Sequence, residues 1–459
     1  MSVFSLSNLK KTWYYLQKNG IRNAVWAVLE RIGQEQEVYT WQEPDEKTLS
    51  FQREHSASLR ISIVVPAYRT KKEHLEAMLN SVSRQSYPHW ELIVADAGDT
   101  AESVQDWAKK NGICLRKAAD ASNLAEWKDQ SIVLSTLSEN KGISANTNAG
   151  IELAAGDAVG LLDHDDLLTA NALWEMADCL EKEKKRGKQK LVLFSDEDKC
   201  DGAASRFYEP NFKPDFDGEL LLTNNYICHF TVIETAFLKE LKLRSGFDGA
   251  QDYDLMLRAY AAGGQFVHVP KVLYHWRCHE ASTASNPQSK RYAYEAGQRA
   301  LEDYCLRKGW KATVSGLKHL GFYREDYEDS VFCQRPEIGI WAKPLPGGRD
   351  VFGIRHPKGF LVSGLYENDG SMRYAGLRKG YSGPMHRAAL QQSAPAADLR
   401  SMEVCSALKE RYAQTIAELK EACQGLSTAA QETKILQKSM EFCKEATAAG
   451  YGILWDPQA

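Results

Sequence analysis

The chain has 459 residues, 43% of them hydrophobic, and a formal net charge of -4. That length allows two or three domains, and the near-balanced charge excludes a broad cationic face of the kind nucleic acids require. Ten cysteines are scattered without a CxxC pair or a His/Cys zinc spacing, no run approaches 18 apolar residues, and no signal-peptide core opens the chain. These features predict a reduced, cytoplasmic protein without a membrane span, in contact with a membrane at most peripherally.

Residues 1–55 read as a helical segment. Leu6, Leu9, Trp13 and Leu16 recur at helical spacing, as do Val25, Val28, Leu29 and Ile32 after Gly20, and Lys10, Lys11, Lys18, Arg22 and Arg31 make the segment basic. A membrane-surface helix pair fits this pattern; packing against the next domain fits it more simply. From residue 56 the pattern changes. Ile61 to Pro66 is a β-branched run suited to a strand buried on both faces. Leu75, Met78, Leu79 and Val82 predict a helix, and Leu92 to Ala95 a second strand ending at Asp96. Ser144 to Ala155 predicts a helix with Gly156 as its stop. A strand from Ala158 to Leu162, a helix over about 169–184 and a strand from Leu191 to Phe194 follow. Strands alternating with helices give a parallel α/β sheet that binds ligands at the carboxyl ends of its strands, where Asp96, Asp163 and Asp196 fall.

The sharpest signal is "GLLDHDDLL" (Gly160 to Leu168). Carboxylates crowded this closely repel one another unless a positive charge joins them. A calcium loop lacks its central glycine and further ligands here. An aspartyl-phosphatase motif lacks its small or β-branched residue at Leu167, and helix capping accounts for one or two of the acids but not three. The remaining reading is a hard divalent cation held by few carboxylates and completed by a substrate diphosphate. A P-loop is absent from the sequence.

Several stretches occur in a specific order: "SIVVPAY", "QSYPHWELIVADAGDT", "ENKGISANTNAG", "LLDHDDLL", "FSDEDK", "FKPDF", "NNYICHFTVI", "GAQDYDLMLR" and "LYHWRCHEAST". In this combination, residues 58–315 resemble bacterial family 2 glycosyltransferases of the GT-A fold, above all those that build O-antigen, rhamnan and other surface polysaccharides. The resemblance implies a Rossmann-like, mostly parallel sheet with flanking helices. It also implies an inverting, metal-dependent transferase that moves a sugar from a UDP-, dTDP- or GDP-sugar to a saccharide or lipid-linked acceptor. In such a displacement a cation neutralises the leaving diphosphate and a carboxylate takes the acceptor proton.

Carried over by that resemblance, Pro66, Ala67, Tyr68 and Asp96 contact the base, and Asn140 and Gly142 lie against the nucleoside with Asn148 in support. The family often has a second Asp beside Asp96; Ala97 stands there and leaves the choice of base open. Asp163 meets the ribose or a metal-bound water, Asp165 binds Mn²⁺ or Mg²⁺, and Asp166 orients that site or caps a helix. Asp252 is the candidate base, with Gln251 where the wider family shows Glu, and Asp254 anchors its helix. His275, rather than His279, completes the metal site, and Arg277 contacts the diphosphate. Asp196, Glu197 and Asp198 lie near donor sugar and acceptor; His229 and Trp276 either line an acceptor groove or pack in the core.

Past residue 316 the periodicity fades, yet "GLYENDGSMRYAGLRKGYSGPMHR" and "AAGYGILWDPQA" resemble pieces of a second such domain. Residues 316–459 are therefore expected to be a degenerate, non-catalytic copy, and the polar helical stretch from Ser401 to Ala446 is an alternative site of association, including with a second copy. The abrupt "WDPQA" suggests that the natural chain continues. A contrasting reading is an inactive sugar- or nucleotide-binding scaffold that partners another transferase; Asp96, Asp163, Asp165 and Asp252 standing together argue against it.

Overall fold

A computed structural model describes residues 39–120, 126–278, 291–317, 321–342, 364–365 and 398–455. The expected helical pattern from Leu6 to Ile32 lies outside them. Asp45 opens helix α1 (Glu46–Glu54) by accepting from the Thr48 N–H at 2.8 Å.

Ten strands make the main sheet among the described residues. They are β1 (Ile61–Ala67), β2 (Trp90–Asp96), β3 (Cys114–Lys117), β4 (Ser131–Thr136), β5 (Ala158–Leu161), β6 (Leu167–Leu168), β7 (Leu191–Asp201), β8 (Phe207–Asn211), β9 (Thr231–Glu234) and β10 (Gln265–Cys278). Their order is β3-β4-β2-β1-β5-β9-β7-β10-β6, with β8 beside β7. Neighbours from β3 to β5 are parallel, as are β7 and β10, while β9 runs antiparallel between β5 and β7. The helices are α2 (Lys72–Ser83), α3 (Ala101–Asn111), α4 (Ile143–Leu153), α5 (Ala172–Lys185), α6 (Gly218–Thr223), α7 (Thr235–Leu241), α8 (Gln251–Ala261) and α9 (Arg291–Arg307).

The continuous apolar run of β1 is explained by layers on both faces. Ile61, Ile63 and Val65 pack with Leu75, Met78 and Leu79 of α2, whereas Val64 joins Ile151 of α4 and Leu255 of α8. Each of these fully buried side chains contributes about 1.5–3 kcal/mol. This is the GT-A-like α/β architecture that the sequence resemblance implies.

One local expectation needs a different explanation. α4 ends at Leu153, and Gly156 is not in the left-handed region. A Cβ on Gly156 would lie 2.7 Å from both the Arg60 oxygen and the Ser62 nitrogen. The residue is glycine because the chain passes against the backbone of β1, not because it caps a helix.

Beyond the main sheet, β11 (Ala312–Gly316) pairs with β12 (Tyr323–Tyr327), and α10 (Val331–Gln334) follows. A second sheet combines β13 (Ile338–Ala342), β14 (Gly364–Leu365), β15 (Met402–Val404) and β16 (Gly452–Trp455) in the order β14-β16-β13-β15. The expected single helical stretch from Ser401 instead begins with β15 and divides into α11 (Lys409–Ala422) and α12 (Thr428–Ala448). The buried Arg335 grips Glu219 of α6 through two hydrogen bonds and ties this region to the main domain. No helix among the described residues is long and apolar enough to cross a membrane.

Candidate active site

The acidic turn after β5 divides its three carboxylates between surface and core. Asp163 and Asp165 are half-buried, whereas Asp166 is 1% exposed. Asp166 accepts the Tyr274 hydroxyl at 2.5 Å and the Arg277 backbone N–H at 2.7 Å, so it fastens the turn to β10. Arg277 completes that clasp: Nε donates to the Asp165 carbonyl at 2.5 Å and Nη1 to that of Gly202 at 2.7 Å. Two nitrogens of the guanidinium expected on a diphosphate thus shape the turn, while Nη2 is buried without a hydrogen-bond partner.

The first turn of α8 brings in Asp252. Gly249, at φ +98°, leads into the helix and donates its N–H to Gln251 Oε1 at 2.8 Å. The Asp252 carboxylate accepts from the Tyr253 N–H at 2.9 Å and from Asn225 Nδ2 at 3.0 Å. Asp254 is a buried anchor, paired with Arg244 and Arg258, as expected. Ligand atoms of Cys228, His229 and Asp252 all lie within 4.8 Å of one another. His229 Nε2 also stands 3.9 Å from Asp163 Oδ2. His229 is therefore close to both the acidic turn and the candidate base.

A buried network fixes that histidine. Its ring stacks on Tyr274 at 5.0 Å, and Nδ1 is 3.4 Å from Glu197 Oε2, which also accepts the His229 backbone N–H. Lys213 Nζ lies 3.7 Å from the same Glu197 oxygen and donates to the carbonyls of Ile227 and His229 at 2.9 and 2.8 Å. Burial disfavours charge on Glu197, but Lys213 and His229 outweigh it and pull its pKa down to about 2. Burial likewise opposes protonation of His229, yet Glu197, Asp163 and Asp166 raise it to about 9. The imidazole is thus held as a cation at neutral pH.

The "FSDEDK" strand sorts its acids by alternation. Glu197 faces His229. Asp196 accepts from the Lys213 N–H at 2.8 Å and bonds His268 at 2.9 Å, and Asp198 bonds His275 Nδ1 at 2.5 Å and accepts from Tyr39 Oη at 2.6 Å. His275 is 3% exposed between Trp41 and Phe207, on the face of β10 opposite Tyr274. The structure does not bring it beside Asp163; His229 holds that place. His279 lies outside the described residues.

At the parallel end of the sheet, Pro66, Ala67 and Tyr68 close β1, and Tyr68 remains 38% exposed with Arg69 5.1 Å over its ring. Asp96 is fully buried. Its carboxylate accepts from the backbone N–H groups of Gly98, Thr100 and Ala101 at 3.1, 3.3 and 2.9 Å, and so builds the turn into α3. Asn140 Oδ1 accepts from the Gly142 N–H at 3.0 Å and Asn146 Nδ2 at 2.8 Å. Gly142 has φ +95°, and any Cβ there would collide with Asp248. Asn148 exchanges two hydrogen bonds with Leu243 and so braces the loop that carries Asp248.

Burial raises the pKa of Asp163, and the negative charges of Asp165 and Asp252 add to this despite His229 and His164. Asp166 is raised well above the ordinary range, first by burial and then by Asp165 and Asp163. Hard oxygen donors short of positive charge suit a hard divalent cation, and Asp163 and Asp165 are the two carboxylates of the turn that remain partly open to solvent.

Residues 62–241 match the family profile described as Glycosyl transferase family 2. They form a family 2 glycosyltransferase domain. O-antigen biosynthesis protein RfbC of Myxococcus xanthus is 34% identical over 256 residues, 56% of this chain and 19% of that protein. An uncharacterized protein, y4gI, of Sinorhizobium fredii is 36% identical over 255 residues, 55% of this chain and 26% of that one. The chain thus spans about a quarter or less of the length of these relatives. Amylovoran biosynthesis glycosyltransferase AmsB of Erwinia amylovora is 28% identical over 232 residues, 47% of this chain and 70% of AmsB. Among solved structures, S. aureus TarS 1-349 in complex with UDP aligns over 54% of this chain and 66% of that one, with a TM-score of 0.39 and 18% identity.

Proposed function

We propose that this glycosyltransferase domain catalyses inverting transfer of a sugar from a nucleotide-diphosphate donor, a UDP-, dTDP- or GDP-sugar, to a hydroxyl of a growing glycan or lipid-linked saccharide. The setting we infer is surface-polysaccharide assembly on the cytoplasmic side of a membrane. The observation that carries this reading is the placement of both Asp163 and Asp252 close to one histidine, His229. Asp163 and Asp165 would hold Mn²⁺ or Mg²⁺, which when bound supplies Lewis-acid neutralisation of a departing diphosphate. Asp252, oriented by Asn225 and the Tyr253 N–H, accepts the proton of the acceptor hydroxyl. The charged His229, held by Glu197, adds a fixed positive charge beside Asp163. Pro66, Ala67, Tyr68, Asp96, Asn140 and Gly142 form the nucleoside side.

The test is Asp252→Asn, which preserves shape and the Asn225 contact. Transfer should fall by a factor on the order of 10²–10⁴, while nucleotide-sugar binding in the presence of Mn²⁺ remains. Full transfer activity in this variant would refute the base assignment. Undiminished activity in excess chelator would refute the metal dependence, and an inactive scaffold would bind nucleotide sugar without any turnover in the unaltered protein.

A further inference from the structure

Cys228 is the one member of this cluster that a sugar displacement gives no task. Its Sγ accepts from Asn225 Nδ2 at 3.1 Å, and the same amide nitrogen donates to Asp252. A thiol, an imidazole and a carboxylate have their ligand atoms within 4.8 Å of one another. That is an S, N, O donor set, chemically unlike the all-carboxylate pair Asp163 and Asp165. Tetrahedral zinc with ligand bonds of about 2.0–2.3 Å needs donor separations of about 3.5 Å, so side-chain rotations of about 1 Å would close the set. Two buried polar atoms at its edge, Asn225 Oδ1 and His229 Nδ1, have no hydrogen-bond partner, and the contact of Nδ1 with Glu197 is 3.4 Å. Polar atoms left this way favour rearrangement around an added ion.

We propose that Cys228, His229 and Asp252 form a second cation site, selective for zinc-class divalent ions over Mn²⁺ and Mg²⁺, whose occupation withdraws Asp252 from the acceptor and switches transfer off. The inhibitory half rests on the reading of Asp252 as base; the binding half does not. On binding, the ion displaces the Cys228 thiol proton and one imidazolium proton of His229 to solvent; selectivity then follows from softness, since a thiolate favours Zn²⁺ or Cd²⁺ while oxygen-only sites favour Mn²⁺ and Mg²⁺.

The experiment titrates the full chain with Cd²⁺ and records thiolate-to-cadmium charge-transfer absorption, with equilibrium dialysis of Zn²⁺ in parallel. One equivalent should bind in the presence of excess Mg²⁺. Cys228→Ser should weaken that binding at least about 100-fold and remove the absorption, whereas Cys333→Ser, an exposed thiol elsewhere, should change neither. Circular dichroism confirms the fold of each variant, and Cys228→Ala serves as the second replacement. Absorption that survives in folded Cys228→Ser or Cys228→Ala assigns the ion to other thiols and overturns the proposal, as does the absence of binding. In the transfer assay with saturating Mn²⁺, Zn²⁺ should inhibit the unaltered protein, and Cys228→Ser should need at least tenfold more. Equal inhibition of the two proteins overturns the switch. Zinc binding in a protein with no transfer activity would leave the site standing and refute the reading of Asp252 instead.

Discussion

Glu197→Gln removes the charge on which the site is built. The amide keeps the shape of the side chain, but its one oxygen can accept from either Asn211 Nδ2 or the His229 N–H, which meet different oxygens of the carboxylate. What disappears is the anion 3.7 Å from Lys213 Nζ and 3.4 Å from His229 Nδ1. At an effective dielectric of about 20 each contact is worth roughly 4–5 kcal/mol. Relaxation and the two carbonyls that already accept from Lys213 reduce the total, and removing one partner of a buried pair costs about 3–5 kcal/mol. For a domain of this size that corresponds to a fall in Tm of about 6–20 °C. The acid dependence sharpens the test. The pKa of Glu197 is lowered from 4.5 to about 2 on folding, so its stabilisation is complete above the unfolded value and fades as pH falls toward 2. The stability gap between the two proteins should close by about 1 kcal/mol at pH 4 and about 2 kcal/mol at pH 3. Denaturant melts from pH 7 to pH 3 measure both quantities. A neutral-pH difference below 1 kcal/mol, or a gap that does not narrow in acid, would refute this account of the Glu197 charge.

His229 has the opposite sign: raised from 6.5 to about 9, its contribution is complete below pH 6.5 and lost as pH rises through 9. The alkaline decline in stability between those values should therefore flatten in His229→Gln, as read by melting temperature against pH. Arg335→Met leaves Glu219 buried without its partner and should cost about 3–5 kcal/mol in denaturant unfolding; Glu219→Leu/Arg335→Met should recover much of that, and failure to recover would show that the pair is not what binds the two regions. Gly156→Ala places a methyl against the β1 backbone and should destabilise by about 1–3 kcal/mol, where a mere helix stop would tolerate alanine more easily. Asp96→Ala removes four accepted hydrogen bonds of the turn into α3 and should lower Tm even without nucleotide, which distinguishes its architectural task from base contact.

Continuous apolar runs made the strands of the parallel half legible, because a strand buried on both faces leaves an unbroken signature and its end follows directly. Asp96 and the acidic turn were found that way, whereas Asp252 at the start of α8 came only from the family resemblance. Strand parity was harder. His275 and His229 are both histidines near strand ends, and choosing between them requires knowing which face each side chain takes. Along β10 the pairing with β7 shifts register between Val269 and Val272 and again between Val272 and Tyr274. Each irregularity breaks the simple alternation by which a sequence assigns faces. The same uncertainty covers "FSDEDK", in which only Glu197 turns toward His229. Alternation could have singled out the middle acid had the cleft face been known. What reveals that face is Lys213, a cation with a side chain of 0% exposure sixteen residues downstream. A buried lysine needs an anion, and the nearest one is Glu197. The "FKPDF" lysine was thus the signal that the middle acid of the motif, and the histidine whose positive charge that acid stabilises, belong to the site.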